Sequence, residues 1–176
     1  MFASVTSIHP PLVAMPAIGP ISLRPSTPAD ESFLFTAYIA SRDDEMAQVG
    51  WATSTKTAFL HSQFIAQQQH YLAHYDNATR YVVQLGNQPI GVMWIARWPT
   101  EIRLMDMALL REFRQRGIGS HLLDDLIAEA RRESKAIILH TWEGNSASAR
   151  FYTRHGFRRI SSDGMYARME WQPQSH

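Results

Sequence analysis

Between Glu101 and His140 the chain reads EIRLMDMALL, then REFRQRG, then IGSHLLDDLIAEARRE, then AIILH. A strand runs into a turn with two glycines a single residue apart, an amphipathic helix follows, and a nearly all-apolar strand closes the unit. In the helix Ile118, Leu122, Leu126 and Ala130 fall on one stripe, with Leu123 and Ile127 beside it, as a surface helix covering a core requires. AIILH has no polar alternation, so it reads as a strand buried on both faces. A sheet with helices on its faces is therefore expected around this unit.

The rest of the sequence extends that sheet. ISLRP reads as a short strand. The helix after it carries Thr27 as cap, Pro28 at the first helical position and acids in its first turn, the usual signs of a helix start. DDEMAQVGWATST reads as a loop, and KTAFLHSQFIAQQQHYLAHY as a longer amphipathic helix with apolar positions 59, 60, 64, 65, 71 and 72. RYVVQLGNQPIGVMWIARW is a hairpin around GNQP. SASARFYTRHGF is a short helix stopped by Gly156, and MYARMEW closes the chain as a strand. The expectation is an α/β protein of the α+β kind: a central mixed sheet flanked by about four helices, over residues 21–172, behind an irregular arm at 1–20.

Composition removes several function classes. The chain has 176 residues, enough for one domain, and a formal net charge of +1, which gives no basic face for neutralising nucleic-acid phosphates. There is no cysteine, so thiolate metal sites and a cysteinyl acyl intermediate are out. No apolar run approaches the ~20 residues that span a bilayer, and the opening twenty residues lack the basic start and compact apolar core of a signal peptide. A cytoplasmic protein is expected, with neither membrane nor nucleic acid as partner.

RQRGIG at a strand-to-helix turn presents free backbone N–H groups and the positive end of a helix dipole, an anion site. It is neither of the commoner phosphate motifs: Gly-Lys-Ser/Thr is absent, and Leu122 stands where a dinucleotide fingerprint has its third glycine. By itself the turn is equally a turn with no ligand.

Two motifs together carry a resemblance. Arg114-x-x-Gly117-x-Gly119, after LMDMALL and before SHLL, resembles the coenzyme A pyrophosphate loop of the GCN5-related N-acetyltransferase (GNAT) superfamily. NSASARFYTRHGF resembles that superfamily's Asn-x6-Tyr-x3-Gly-Phe segment, with Asn145, Tyr152, Gly156 and Phe157 in register and Ser148 where alanine is frequent. The likeness covers about residues 21–172, is strongest from 101 to 158, and is weak before 80. It implies a GNAT fold and transfer of an acetyl group from acetyl-CoA to a primary amine of a small molecule, peptide or protein, with no metal. A non-catalytic acyl-CoA-binding or sensing domain is the alternative.

The resemblance implies roles by position. The amides of Gln115, Arg116, Gly117, Ile118, Gly119 and Ser120 would take the pyrophosphate, while Met107, Ala108 and Leu109 would pair with the pantetheine arm and hold the thioester oxygen. Arg111, Arg114 and Arg116 could reach phosphates or form a solvated basic turn. Asn145 and Tyr152 lie seven residues apart, within ~20° on a helix. Asn145 either caps the helix or meets the coenzyme beside Ser148. Tyr152 either packs in the core or acts as the acid, since a phenol of ordinary pKa ~10 can protonate a thiolate of pKa ~8.5.

The base candidates are Glu101 and Asp106, which strict strand alternation puts on opposite faces unless a bulge intervenes. A carboxylate amid the apolar residues around Asp106 needs a partner or a function, Arg103 or Arg97 being the partners at hand; a water relay is a third possibility for the base. Without cysteine, direct attack within a ternary complex is favoured. His70 and His74 share a face of the second helix with no third metal ligand placed beside them, and His140 ends the buried strand. Trp51, Trp94, Trp98 and Trp142 pack in the core or wall a substrate pocket. The loop at 41–56, the two early helices and a C-terminal strand hairpin would select the acceptor, and a homodimer is possible.

Overall fold

The computed structural model describes residues 19–173; most of the arm expected at 1–20 lies outside the described residues. Strand β1 (Ile21–Pro25) is followed by α1 (Glu31–Ala47) and α2 (Thr53–His74). Then come β2 (Ala78–Leu85), β3 (Gln88–Arg97), β4 (Glu101–Leu109), α3 (Ile118–Arg132), β5 (Ala136–Trp142), α4 (Ser146–Arg154), β6 (Arg158–Ser162) and β7 (Tyr166–Trp171). The strands form one sheet in the order β1-β2-β3-β4-β5-β7-β6. Only β4 and β5 pair in parallel. The mixed sheet flanked by four helices is the expected one.

Each face is covered for the reason the periodicities suggest. The whole apolar stripe of α3, from Ile118 to Ala130, is buried and packs with Ile95, Ile102, Leu104, Ile137 and Leu139 of the central strands; Tyr152 and Phe157 from the α4 region join that core. On the opposite face Leu34, Ala37, Leu60 and Phe64 of α1 and α2 lie on Val82 and Val92. Burial of such side chains contributes ~1.5–3 kcal/mol each relative to exposure.

Two expectations need correction, and the expected C-terminal hairpin gains its first strand. α1 continues through DDEMA to Ala47 and α2 begins at Thr53, so the expected loop shrinks to residues 48–52. Nothing in DDEMA breaks a helix, and Arg42 pairs with Glu45 one turn on at 3.5 Å. The β2–β3 connection is only Gly86–Asn87, with Gln88 and Pro89 already in the strand. β6 forms an edge of the sheet, and all five of its residues are exposed, so no apolar alternation marks it in the sequence.

Among the described residues, no helix is long and apolar enough to cross a membrane.

Candidate active site

The centre of the sheet opens. β4 and β5 are in register from Glu101↔Ala136 to Leu104↔Leu139 and pair no further. At the same point β4 bulges: Trp94 of β3 faces Asp106 and Ile95 faces Leu104, leaving Met105 as the extra residue. The bulge decides which face carries the carboxylate. Ile102 and Leu104 point toward α3, whereas Asp106 follows Trp94 to the side of α2, where Trp94 meets the Tyr71 ring edge-on at 4.8 Å. Glu101 and Asp106 therefore share a face, contrary to strict alternation. The Tyr71 hydroxyl donates to the Met105 carbonyl at 3.4 Å, tying α2 to the bulge.

Two cavities meet at this opening. One, of about 300 Å3, is lined by Arg42, Tyr71, Arg103, Asp106, His140 and Trp142, among others. The other, of about 760 Å3, runs along Met107, Ala108 and Leu109 to Arg111, Arg114 and Gln115, with Ala147 and Phe151 opposite. Ser41, Met107, Asn145, Ser148 and Tyr152 line both. Tyr152, 8% exposed, thus stands where the two spaces join.

The turn ahead of α3 answers why two glycines stand there. Gly117 is the cap residue of α3 with φ 79°, in the left-handed region that suits glycine. Gly119 has no such φ, and a methyl there would meet only the Phe151 ring, at 3.6 Å. The protein itself would tolerate alanine at 119. No side chain caps α3, so its first amides are left as donors; Ile118 is wholly buried and offers only its backbone. α4, in contrast, is capped by Asn145, whose side-chain oxygen accepts from the Ser148 amide at 3.0 Å.

The arginines of the turn divide. Arg114 donates through Nε to the Leu109 carbonyl at 2.9 Å and through Nη2 to the Ala40 carbonyl at 2.6 Å, so it braces the turn against β4 and α1. Arg116 lies over the Phe113 ring at 5.8 Å. Arg111 lines the larger cavity.

Burial pushes the Asp106 carboxyl above the usual carboxylate range, while the Arg42 guanidinium and the Met107 amide pull it down. The residue keeps part of its surface open to the cavity. The arginine partners expected for it are taken elsewhere. Arg97 holds Glu129 of α3 with Nε and Nη2, at 2.6 and 2.9 Å, and Arg103 holds Glu101 at 2.9 Å. Glu101 is thereby paired at the far end of β4 and lines neither cavity, so the structure does not bring it to the site. Burial, then Asp106, raise the Tyr152 phenol above the ordinary tyrosine range. Tyr71 is pushed up to about 12, by burial first and Asp106 next. His140 is lowered, by burial and then by Arg103 and Arg168.

Of the tryptophans, Trp142 lines the smaller cavity, Trp94 is buried beneath Tyr71 and Trp51 is 47% exposed. Trp98 stacks near Tyr75 and Arg103. His70 and His74 stack on each other at 4.4 Å. Arg42, Tyr71 and Tyr75 escape a reading of the sequence because they come from α1 and α2, where no motif points at β4. The apolar stripe that includes position 71 is the sole local signal.

Residues 46–157 match the model of the acetyltransferase (GNAT) family. The chain belongs to the GNAT acetyltransferase family. Its architecture has GNAT counterparts among solved structures. The PaiA N-acetyltransferase from Thermoplasma acidophilum, in complex with coenzyme A, is 16% identical with a TM-score of 0.69, over 86% of this chain and 98% of that one. A GNAT family acetyltransferase from Elizabethkingia anophelis with acetyl-CoA bound is 16% identical with a TM-score of 0.56, over 86% and 97%. A protein from Corynebacterium glutamicum described as histone acetyltransferase HPA2 and related acetyltransferase is 22% identical with a TM-score of 0.62, over 89% and 97%. These likenesses show the GNAT fold. No curated protein matches the sequence.

Proposed function

We propose that this GNAT protein is an acetyl-CoA-dependent N-acetyltransferase that acts on a primary amine by direct attack in a ternary complex. The observation that carries the reading is the opening of β4 from β5 beyond Leu104–Leu139, with a buried tyrosine where its two cavities join.

The residues fit a coenzyme in the larger cavity. The uncapped amides from Gln115 to Ser120 hold the pyrophosphate at the positive end of α3, and Gly119 keeps the approach clear where the protein alone gives no reason for a glycine. Arg111 adds charge at the rim; Arg114, bound to two carbonyls, acts by fixing the turn. Past the bulge, the peptide groups of Met107, Ala108 and Leu109 are free of β5 and pair with the pantetheine arm, one N–H holding the thioester oxygen. Asn145 and Ser148 line the passage between the cavities.

Acetyl-CoA, when bound, supplies a thioester whose carbonyl carbon takes the amine nitrogen and whose sulfur leaves as a thiolate. Asp106 accepts the proton that the amine gives up; its raised pKa makes it a better base near neutrality than an exposed carboxylate. Tyr152 remains protonated at neutral pH and donates its hydroxyl proton to the thiolate. Glu101, engaged with Arg103, is left out of this assignment.

Free-thiol release from acetyl-CoA, measured across a panel of amines, tests the reading. Release that depends on an amine supports it. Coenzyme binding without release under every amine would favour an acyl-CoA sensor instead.

A further inference from the structure

The smaller cavity holds charges that an amine alone does not require. Arg42 and Arg103 both line it, with His140 between β4 and β7, and the Asp106 carboxyl is the one acidic group among its lining residues. The lining therefore carries two guanidiniums and one carboxyl, the carboxylates of Glu45 and Glu101 lying behind the arginines.

The two arginines are also under-used. Elsewhere the fold binds its structural arginines at two points: Arg24 meets both carboxylate oxygens of Asp30 at 2.8 and 2.6 Å, and Arg97 grips Glu129 at 2.6 and 2.9 Å. Arg42 lies over the Tyr38 ring and touches Glu45 through one nitrogen at 3.5 Å, and Arg103 gives one nitrogen to Glu101 at 2.9 Å and another to the Tyr75 hydroxyl at 3.5 Å, with Nε left over in each. Among the described residues, four side-chain polar atoms are buried without a hydrogen-bond partner. Three of them, Arg42 Nε, Arg103 Nε and Thr141 Oγ1, belong to residues lining this cavity. A guanidinium has five donors in a fork that matches a carboxylate, and both guanidiniums keep capacity for one.

From this geometry, and on the reading of the site as a transferase, we infer that the acceptor is an amino acid: one molecule carrying both the amine and a free carboxylate. Its amine meets Asp106 beside Tyr152. Its carboxylate is held by Arg42 and Arg103, which the bulge at Met105 leaves on the same face as Asp106. The rings of Tyr71, Tyr75 and Trp142 cover its apolar part. A cavity of about 300 Å3 stands at the lower end of the ~300–1,000 Å3 common for small-molecule clefts. A polyamine would set its second cation against two guanidiniums, and a protein N-terminus presents its α-carboxyl only as a neutral amide.

The test offers the full-length protein a set of α- and ω-amino acids, each beside its own carboxamide, with spermidine as a separate arm, and reads thiol release. At least one amino acid is expected to exceed its carboxamide at least tenfold in kcat/KM. Arg42→Gln and Arg103→Gln are expected to raise KM for that amino acid at least tenfold while KM for acetyl-CoA stays within twofold. If either variant fails to fold, the comparison of acid and carboxamide on the unaltered protein still decides. Equal use of acid and carboxamide, preference for spermidine, or an unchanged KM in both folded variants overturns the inference and leaves the transferase reading intact. No thiol release with any amine offered, despite coenzyme binding by calorimetry, would remove both.

Discussion

Tyr152 stands in the field of Asp106 across the open end of β4 and β5: burial first, and that carboxylate next, hold its phenol protonated above the ordinary tyrosine range. A phenol whose pKa is raised above its ordinary value keeps its proton at neutral pH and so has one to give. Tyr152→Phe is accordingly expected to lower kcat by about 10²-fold or more, with acetyl-CoA affinity by calorimetry within twofold of the parent. A kcat equal to the parent's would take the acid role away from Tyr152.

Asp106, as the proposed base, should leave a different trace. As a base it acts only when ionised, so kcat/KM should fall as pH drops through its pKa, and that fall should begin above the usual aspartate range of ~3.9 because burial raises it. Asp106→Asn is expected to abolish this acidic limb and to lower kcat/KM. The same shift makes a stability statement. A carboxyl whose folded pKa exceeds its unfolded one costs stability as pH rises from the unfolded toward the folded value. The variant should then melt higher than the parent at neutral pH, by on the order of a few °C, with the gain vanishing below about pH 4. A gain that persists unchanged at low pH contradicts the linkage.

The two glycines of the turn should separate stability from binding. Gly117 sits at φ 79°, so Gly117→Ala forces a side chain into the left-handed region at about 1 kcal/mol or more. Gly119 lies in the first turn of α3 with room for a methyl, so Gly119→Ala should leave the melting temperature equal or slightly raised. Acetyl-CoA affinity should nonetheless drop at least tenfold, because the methyl stands where the diphosphate approaches. Calorimetry on a Gly119→Ala protein that binds normally would show that this glycine serves no ligand.

Arg114 and Arg111 should behave as a brace and as a charge. Arg114→Gln breaks contacts to the Leu109 and Ala40 carbonyls, at about 1.5–3 kcal/mol for bonds from a charged donor, and lowers the melting temperature. Arg111→Gln should leave stability within ±0.5 kcal/mol and weaken acetyl-CoA binding most at low ionic strength, where charge is least screened. Chemical denaturation and calorimetry at two salt concentrations distinguish the pair.

What the amino-acid sequence determined alone is what short-range chemistry encodes. The glycine turn before α3, the buried stripe from Ile118 to Ala130, the apolar β5, and the register of Asn145 with Tyr152, Gly156 and Phe157 are all read from neighbours a few residues apart. Together they identify the family and the sheet. DDEMA was illegible as helix because charged residues fit a solvated loop and a helix surface equally, and β6 because an exposed edge strand has no face to alternate.

The tertiary structure decided the rest. Whether Asp106 shares a face with Glu101 hangs on one extra residue, Met105, and a bulge exists only relative to the strand it pairs with. Where β4 leaves β5 depends on both strands at once, so neither strand's sequence carries it. Arg103 and Arg97 look equally able to hold Asp106 along the chain, yet Glu101 and Glu129 hold them instead. The smaller cavity gathers Arg42, Tyr71, Arg103 and His140 from four separate elements. Sequence periodicity fixes which way a side chain points within its own element; only packing fixes what it points at.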